Sequence, residues 1–202
     1  MIKRLFYRDA FSKIIKCIIL LVLGVIIGYL ALVFVYLLPP DVMEQHVKES
    51  YDMIREEGIS PILINGYETT RLDNYSDGLI LNNAIYDGQE TVWEKAAAVY
   101  QYVYEGENYY VSLLRHFDNI PGEIKNSYER DWHGYLVYVK PLLLFMNYED
   151  IRILNMVMQI LIVLSLIHLM DKKGLGKYIP ATMMLFVFLT WNILFYSIEC
   201  LL

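Results

Sequence analysis

Arg71, Asp73 and Asp77 stand close together in the stretch TRLDNYSDGLILNNA, Thr70 to Ala84. Two carboxylates four positions apart share one face of a helix, and a nearby guanidinium biases one of them toward its ionised form. Such a pair can serve as a general base and a metal ligand, so Asp73 and Asp77 are the candidate catalytic residues. The same residue types have a plainer use. Asp73-Asn74 and Asp77-Gly78 are both turn-forming pairs, and on spacing alone turns outweigh catalysis.

A second concentration, YERDWHGY from Tyr128 to Tyr135, sets Arg130, Trp132 and His133 among aromatics just before an apolar segment. Arg130 could hold a lipid or sugar phosphate in bidentate fashion, and His133 could move a proton or bind a metal. Trp and Tyr at this position would equally anchor a chain at headgroup depth, and the two readings weigh about the same. Arg71, Arg130, Trp132 and His133 are the candidate substrate-binding residues. Asp131-x-His133 brings too few ligands to define a metal centre, and no metal or cofactor is assigned. No phosphate-cradling glycine loop and no Gly-x-Ser-x-Gly elbow is present.

The elements that must position these residues are largely apolar. The chain has 202 residues, of which 56% are hydrophobic. Residues 18–38 contain no charge, and at about 1.5 Å per residue this run crosses a hydrocarbon core of roughly 30 Å. Residues 151–170 are expected to span as well, with Arg152 and His168 near the ends where they can snorkel, and residues 178–198 form a third expected span. The fold class that follows is an all-α membrane protein with three transmembrane helices and a large, mostly helical external loop between the first and second.

Basic side chains near the span ends set the orientation. Lys3, Arg4, Arg8, Lys13 and Lys16 mark residues 1–17 as cytoplasmic, and Lys172, Lys173 and Lys177 do the same for the turn at 171–177. Residues 39–150 and the end, 199–202, then lie outside, making this a multi-pass cell-membrane protein with a cytoplasmic N-terminus. The external loop is acidic, with 8 basic against 20 acidic side chains. An acidic chain without a basic patch excludes a nucleic-acid partner. The expected partners are the lipid bilayer and other membrane proteins. Tyr36-Leu-Leu-Pro-Pro40 offers no small-residue cleavage site, so the first span is expected to remain as an anchor. Cys17 and Cys200 fall on opposite sides of the membrane and cannot pair.

Within the loop, Val42, Met43, Val47, Tyr51 and Ile54 recur at helical steps, predicting one amphipathic helix from Asp41 to Gly58. Pro61 to Ala84, broken by Asn-Gly, Asp-Asn and Asp-Gly, reads as loop or short extended structure. ETVWEKAAAVYQYVYEG from Glu90 reads as a helix of about four turns. His133 to Met146 is too short to span and contains Lys140 and Pro141, so it is expected to be re-entrant, interfacial or buried.

TRLDNYSDGLILNNA, followed later by SYERDWHGYLVYVKPLLLFMNYEDIRILN, resembles an uncharacterised family of bacterial polytopic membrane proteins of the GT-C glycosyltransferase type. The likeness covers about Ile62 to Asn155. It implies a first external loop whose acidic residue activates an acceptor, with a polyprenyl-phosphate sugar as donor. Asp73 or Asp77 would then be the base, and Arg71, Arg130 or His133 would face phosphate or sugar. The expected function is sugar transfer from a lipid-phosphate carrier in envelope polysaccharide synthesis. GT-C enzymes usually have eight or more spans, so three spans imply a truncated member. The alternative is a non-enzymatic membrane-anchored subunit, or an inactive fragment, whose acidic external domain binds a partner.

Overall fold

The computed structural model describes residues 2–66, 68–129 and 132–189. The chain is mostly helical, and among the described residues two helices are long and apolar enough to cross a membrane. The first, α1 (Ile2–Val35), runs on through the basic N-terminal segment as well as the charge-free run. The second, α8 (Tyr148–Lys172), begins three residues earlier than the expected span. The span-length parts, Phe11–Val35 and Tyr148–Lys172, are 25 residues each. That is about 37 Å of helix against a hydrocarbon core of roughly 30 Å.

Side chains 11–27 of α1 are exposed on every face, and α8 loses its buried positions after Asn155. Among the described side chains, both helices are therefore buried at one end only. α9 (Ile179–Leu189) starts where the third span was expected, and residues 190–198 of that span lie outside the described residues.

Between these helices the chain folds into a head. The predicted amphipathic helix appears as two pieces, α2 (Pro40–Glu49) and α3 (Tyr51–Glu57), with Met43, Val47 and Ile54 buried as their spacing requires. The break falls at Ser50, whose hydroxyl accepts a hydrogen bond from the Glu149 N–H at 3.1 Å. The interruption thus satisfies one of the donors that α8 leaves unpaired in its first turn.

The expectation of loop from Pro61 to Ala84 is corrected over its second half, which forms α4 (Asn74–Ile85), a mostly buried helix. Asp73 caps it, accepting from the Tyr75 and Ser76 N–H groups and from the Ser76 hydroxyl. Asp77-Gly78 is no turn. A Cβ at residue 78 would lie 2.8 Å from the Tyr110 backbone, so this glycine lets α4 cross α6 (Tyr109–Phe117) at close range.

The four-turn helix expected from Glu90 is also corrected. α5 (Val92–Ala98) opens with a Thr91–Glu94 capping box and ends at Val99, whose φ of 44° is left-handed. Tyr100–Tyr104 then forms β1, antiparallel to β2 (Glu123–Ser127), with Tyr102 opposite Lys125. The period-two tyrosines of this stretch suit a strand. This small sheet departs from an all-α class. α7 (Leu136–Leu143) buries Leu136, Val139 and Leu143, and of the re-entrant, interfacial or buried placements expected for residues 133–146 this matches the last. These side chains join Leu32, Val33 and Tyr36 from the end of α1 and Ile80, Leu81 and Ala84 from α4 in one core.

Candidate functional site

The polar residues inside the head converge on Arg152, one turn into α8. Its side chain is fully buried and its guanidinium bridges three elements. Nη1 donates to both Glu57 carboxylate oxygens, at 3.0 and 2.8 Å, and Nη2 donates to Asn74 Oδ1 at 2.6 Å and Asp77 Oδ2 at 3.0 Å. The Tyr148 ring lies beneath it, 4.6 Å from the guanidinium carbon to the ring centroid. Asn74 closes the circuit, its amide donating to Glu57 at 3.0 Å and to the Gly58 carbonyl at 2.7 Å. Planar, forked donors suit an arginine to this position better than a lysine. Expected to snorkel, Arg152 instead locks the end of α3, the start of α4 and the first turns of α8 together.

Asp77 is the carboxylate at the centre of this arrangement. Burial pushes its carboxyl above the ordinary value, and Asp73 adds to the rise, while Arg152 and Tyr148 pull the other way. Asp73 lies one turn away with both carboxylate oxygens engaged in the α4 cap. The two acids are therefore neighbours with different tasks. Arg71 sits on the far side of the same segment, paired with Glu68 and donating to the Ser60 carbonyl at 3.2 Å.

His133 and Trp132 belong to separate surroundings. His133 is buried, with Nδ1 2.6 Å from the Tyr135 hydroxyl and Nε2 2.6 Å from the Tyr128 carbonyl. The Tyr135 hydroxyl also accepts from Asn83 at 2.8 Å, which ties His133 to α4. Trp132 is largely exposed and lies against Gly28 of α1, where an added Cβ would come 3.0 Å from its ring. Arg130 lies outside the described residues. So Asp73 and Asp77 are brought together, whereas Arg71, His133 and Trp132 each lie apart from them.

One buried cation, noted in the sequence only as an interruption of an apolar run, was not among the candidate site residues. Lys140 in α7 is 1% exposed, donates to the Ala84 carbonyl at 2.6 Å and has its ammonium 4.7 Å from the Tyr36 ring centroid. Burial lowers its pKa to about 7, and Lys95 contributes in the same direction. The signal was present in the sequence as a lone charge in an apolar run.

A cavity of about 560 Å³ lies along the head-side half of α1, lined by Gly24, Val25, Tyr29, Leu32, Ala96 and Trp132 among others. Its walls are almost wholly apolar, which suits a hydrocarbon chain better than a sugar. Among the described residues no group of three or more His, Cys, Asp or Glu side chains is placed to hold a metal ion. The fold and the site together define a mostly helical protein with a packed head and two helices of membrane-crossing length. No family model matches the chain, and no curated protein or solved structure matches it.

Proposed function

We propose that this protein is an integral membrane subunit whose folded head, carried between two spans, binds a protein partner in the membrane. The N-terminus is cytoplasmic and the head is external in this reading, with residues 178–198 crossing as a third span. One observation carries it. The two candidate carboxylates are engaged in holding the head itself, Asp73 in a helix cap and Asp77 with Arg152, while α1 and α8 extend without packing along one another. Exposed apolar helices of this kind fit lipid and the helices of another membrane protein.

A second reading, transfer of sugar from a polyprenyl-phosphate carrier by a GT-C-like protein, is favoured by the apolar cavity and by Asp77. The cavity is lined by the substrate candidate Trp132 and suits a lipid chain. A carboxylate shifted by burial beside a specific cation is a common feature of catalytic sites. Purification in mild detergent separates the two readings. A stoichiometric membrane-protein partner without bound sugar-phosphate lipid is the expected result. A co-purifying polyprenyl-phosphate sugar, with no protein partner, would replace the first reading by the second.

A further inference from the structure

Residues Ile59 to Gly66 carry no charge and form the exposed side of a hairpin-like arm whose returning side packs on the head through Thr70 and Leu72. Ile59, Ile62, Leu63 and Ile64 are all exposed, the last two by 46% and 50%. The arm has a defined backbone. The Leu72 N–H donates to the Pro61 carbonyl at 2.8 Å, the Leu63 N–H to the Thr70 carbonyl at 3.1 Å and the Ile64 N–H to the Thr70 hydroxyl at 2.9 Å. Ile62 and Arg71 face each other across it as an antiparallel bridge. Its charges, Glu68, Arg71 and Asp73, lie on the returning side, where Glu68 and Arg71 pair with each other and Asp73 caps α4.

The root of the arm fixes its level. Gly58 and Asn74, where the arm leaves and rejoins the head, are hydrogen-bonded to each other, and Asn74 is bonded to Arg152. Arg152 lies four residues into α8, about 6 Å along the helix axis. The helix exceeds the hydrocarbon thickness by about 7 Å, and whether that excess lies at the head end or is shared between the two ends, Arg152 comes within a few ångströms of the boundary between headgroups and acyl chains. Other apolar groups near the head-side ends of the two long helices are uncovered. Phe145, just before α8, is 80% exposed, and Trp132 and Trp93 are exposed beside α1. Backbone entering this layer must satisfy its own polar groups, and the cross-arm hydrogen bonds do that for Leu63, Ile64 and Leu72.

We infer that the Ile59–Ile64 arm inserts its apolar side chains into the interfacial layer of the bilayer that α8 crosses, so that the head is seated in the membrane surface. The inference rests on α8 being a span, and the test reads the two separately. The full chain, with Cys17→Ser and Cys200→Ser, is given one nitroxide at Leu63→Cys and placed in phosphatidylethanolamine/phosphatidylglycerol nanodiscs. Comparison labels sit at Ile162→Cys, mid-α8, and at Asn126→Cys on β2. Ile64→Cys serves as a second arm position.

Accessibility to oxygen and to a water-soluble nickel chelate is measured by power saturation. The expected result is an arm label that favours oxygen, as at residue 162, with the reverse at residue 126. An arm label as open to nickel as residue 126, with residue 162 in lipid, overturns the inference and leaves the span intact. An arm label shielded from both reagents means that protein covers the arm, and it overturns the inference too. A water-exposed residue 162 removes the span and the inference with it.

Discussion

Lys140 shows how one side chain makes stability depend on pH. Its ammonium is enclosed by Tyr36 and Ala84, and burial lowers its pKa to about 7, against an ordinary lysine value of about 10.4. Between those two values the unfolded chain binds more protons than the folded one. Stability therefore rises with pH across that window, by at most about 1.4 kcal/mol per pH unit, and levels off below about pH 7. Lys140→Met keeps the volume and removes the titration. The expected outcome is a thermal midpoint in detergent that rises between pH 7 and 9 in the parent protein and stays flat in the variant. An equal slope in both would show that the lysine is not buried in the folded state. The chemistry of Lys140 was visible in the sequence as a charge in an apolar run. That of Arg152 was not, because its partners Glu57, Asn74 and Asp77 come from two distant helices and no local pattern announces them.

At the scale of elements, sequence reading succeeded where a local pattern has one physical meaning. A charge-free run as long as 18–38 is a long helix almost regardless of context, and the spacing of Met43, Val47 and Ile54 required a buried face. It failed at α4, whose Asp-Asn and Asp-Gly pairs mimic turns. There Asp73 is a cap, and Gly78 is small because the Tyr110 backbone crosses at that point. Gly78→Ala should consequently destabilise the head, although alanine is the better helix former by about 1 kcal/mol. The obstruction is backbone, which cannot swing aside, and overpacking of this kind costs about 1–3 kcal/mol. The lower thermal midpoint should be accompanied by increased protease cleavage within residues 74–117. A midpoint unchanged or raised, as helix propensity alone would give, would mean that α4 and α6 do not meet at Gly78. Tyr100 to Tyr104 failed for a related reason. The alanine run before it reads as helix, and only its pairing with β2 decides where helix stops and strand begins.

For the whole molecule, the head and the two long helices constrain one another. The head is joined to α1 through Leu32, Val33 and Tyr36 and to α8 through Tyr148, Ile151 and Arg152. Among the described residues, no side chain from 11 to 27 of α1 and none after Asn155 of α8 is buried. If both helices cross, the head sits on one side, and the turn from Lys173 to Gly176 must sit on the other. The positive-inside rule then predicts which side is which, because the flanking lysines and arginines cluster at residues 3–16 and 172–177. With both native cysteines replaced by serine, Asn126→Cys should react with an impermeant maleimide on intact cells. Leu175→Cys should react only after the membrane is opened. Both positions are exposed, so reactivity reports side and not burial. Labelling of both from outside would rule out α8 as a span, and the exchanged pattern would place the head in the cytoplasm. The acidic head contributes little to this outcome, since carboxylates have little influence on insertion.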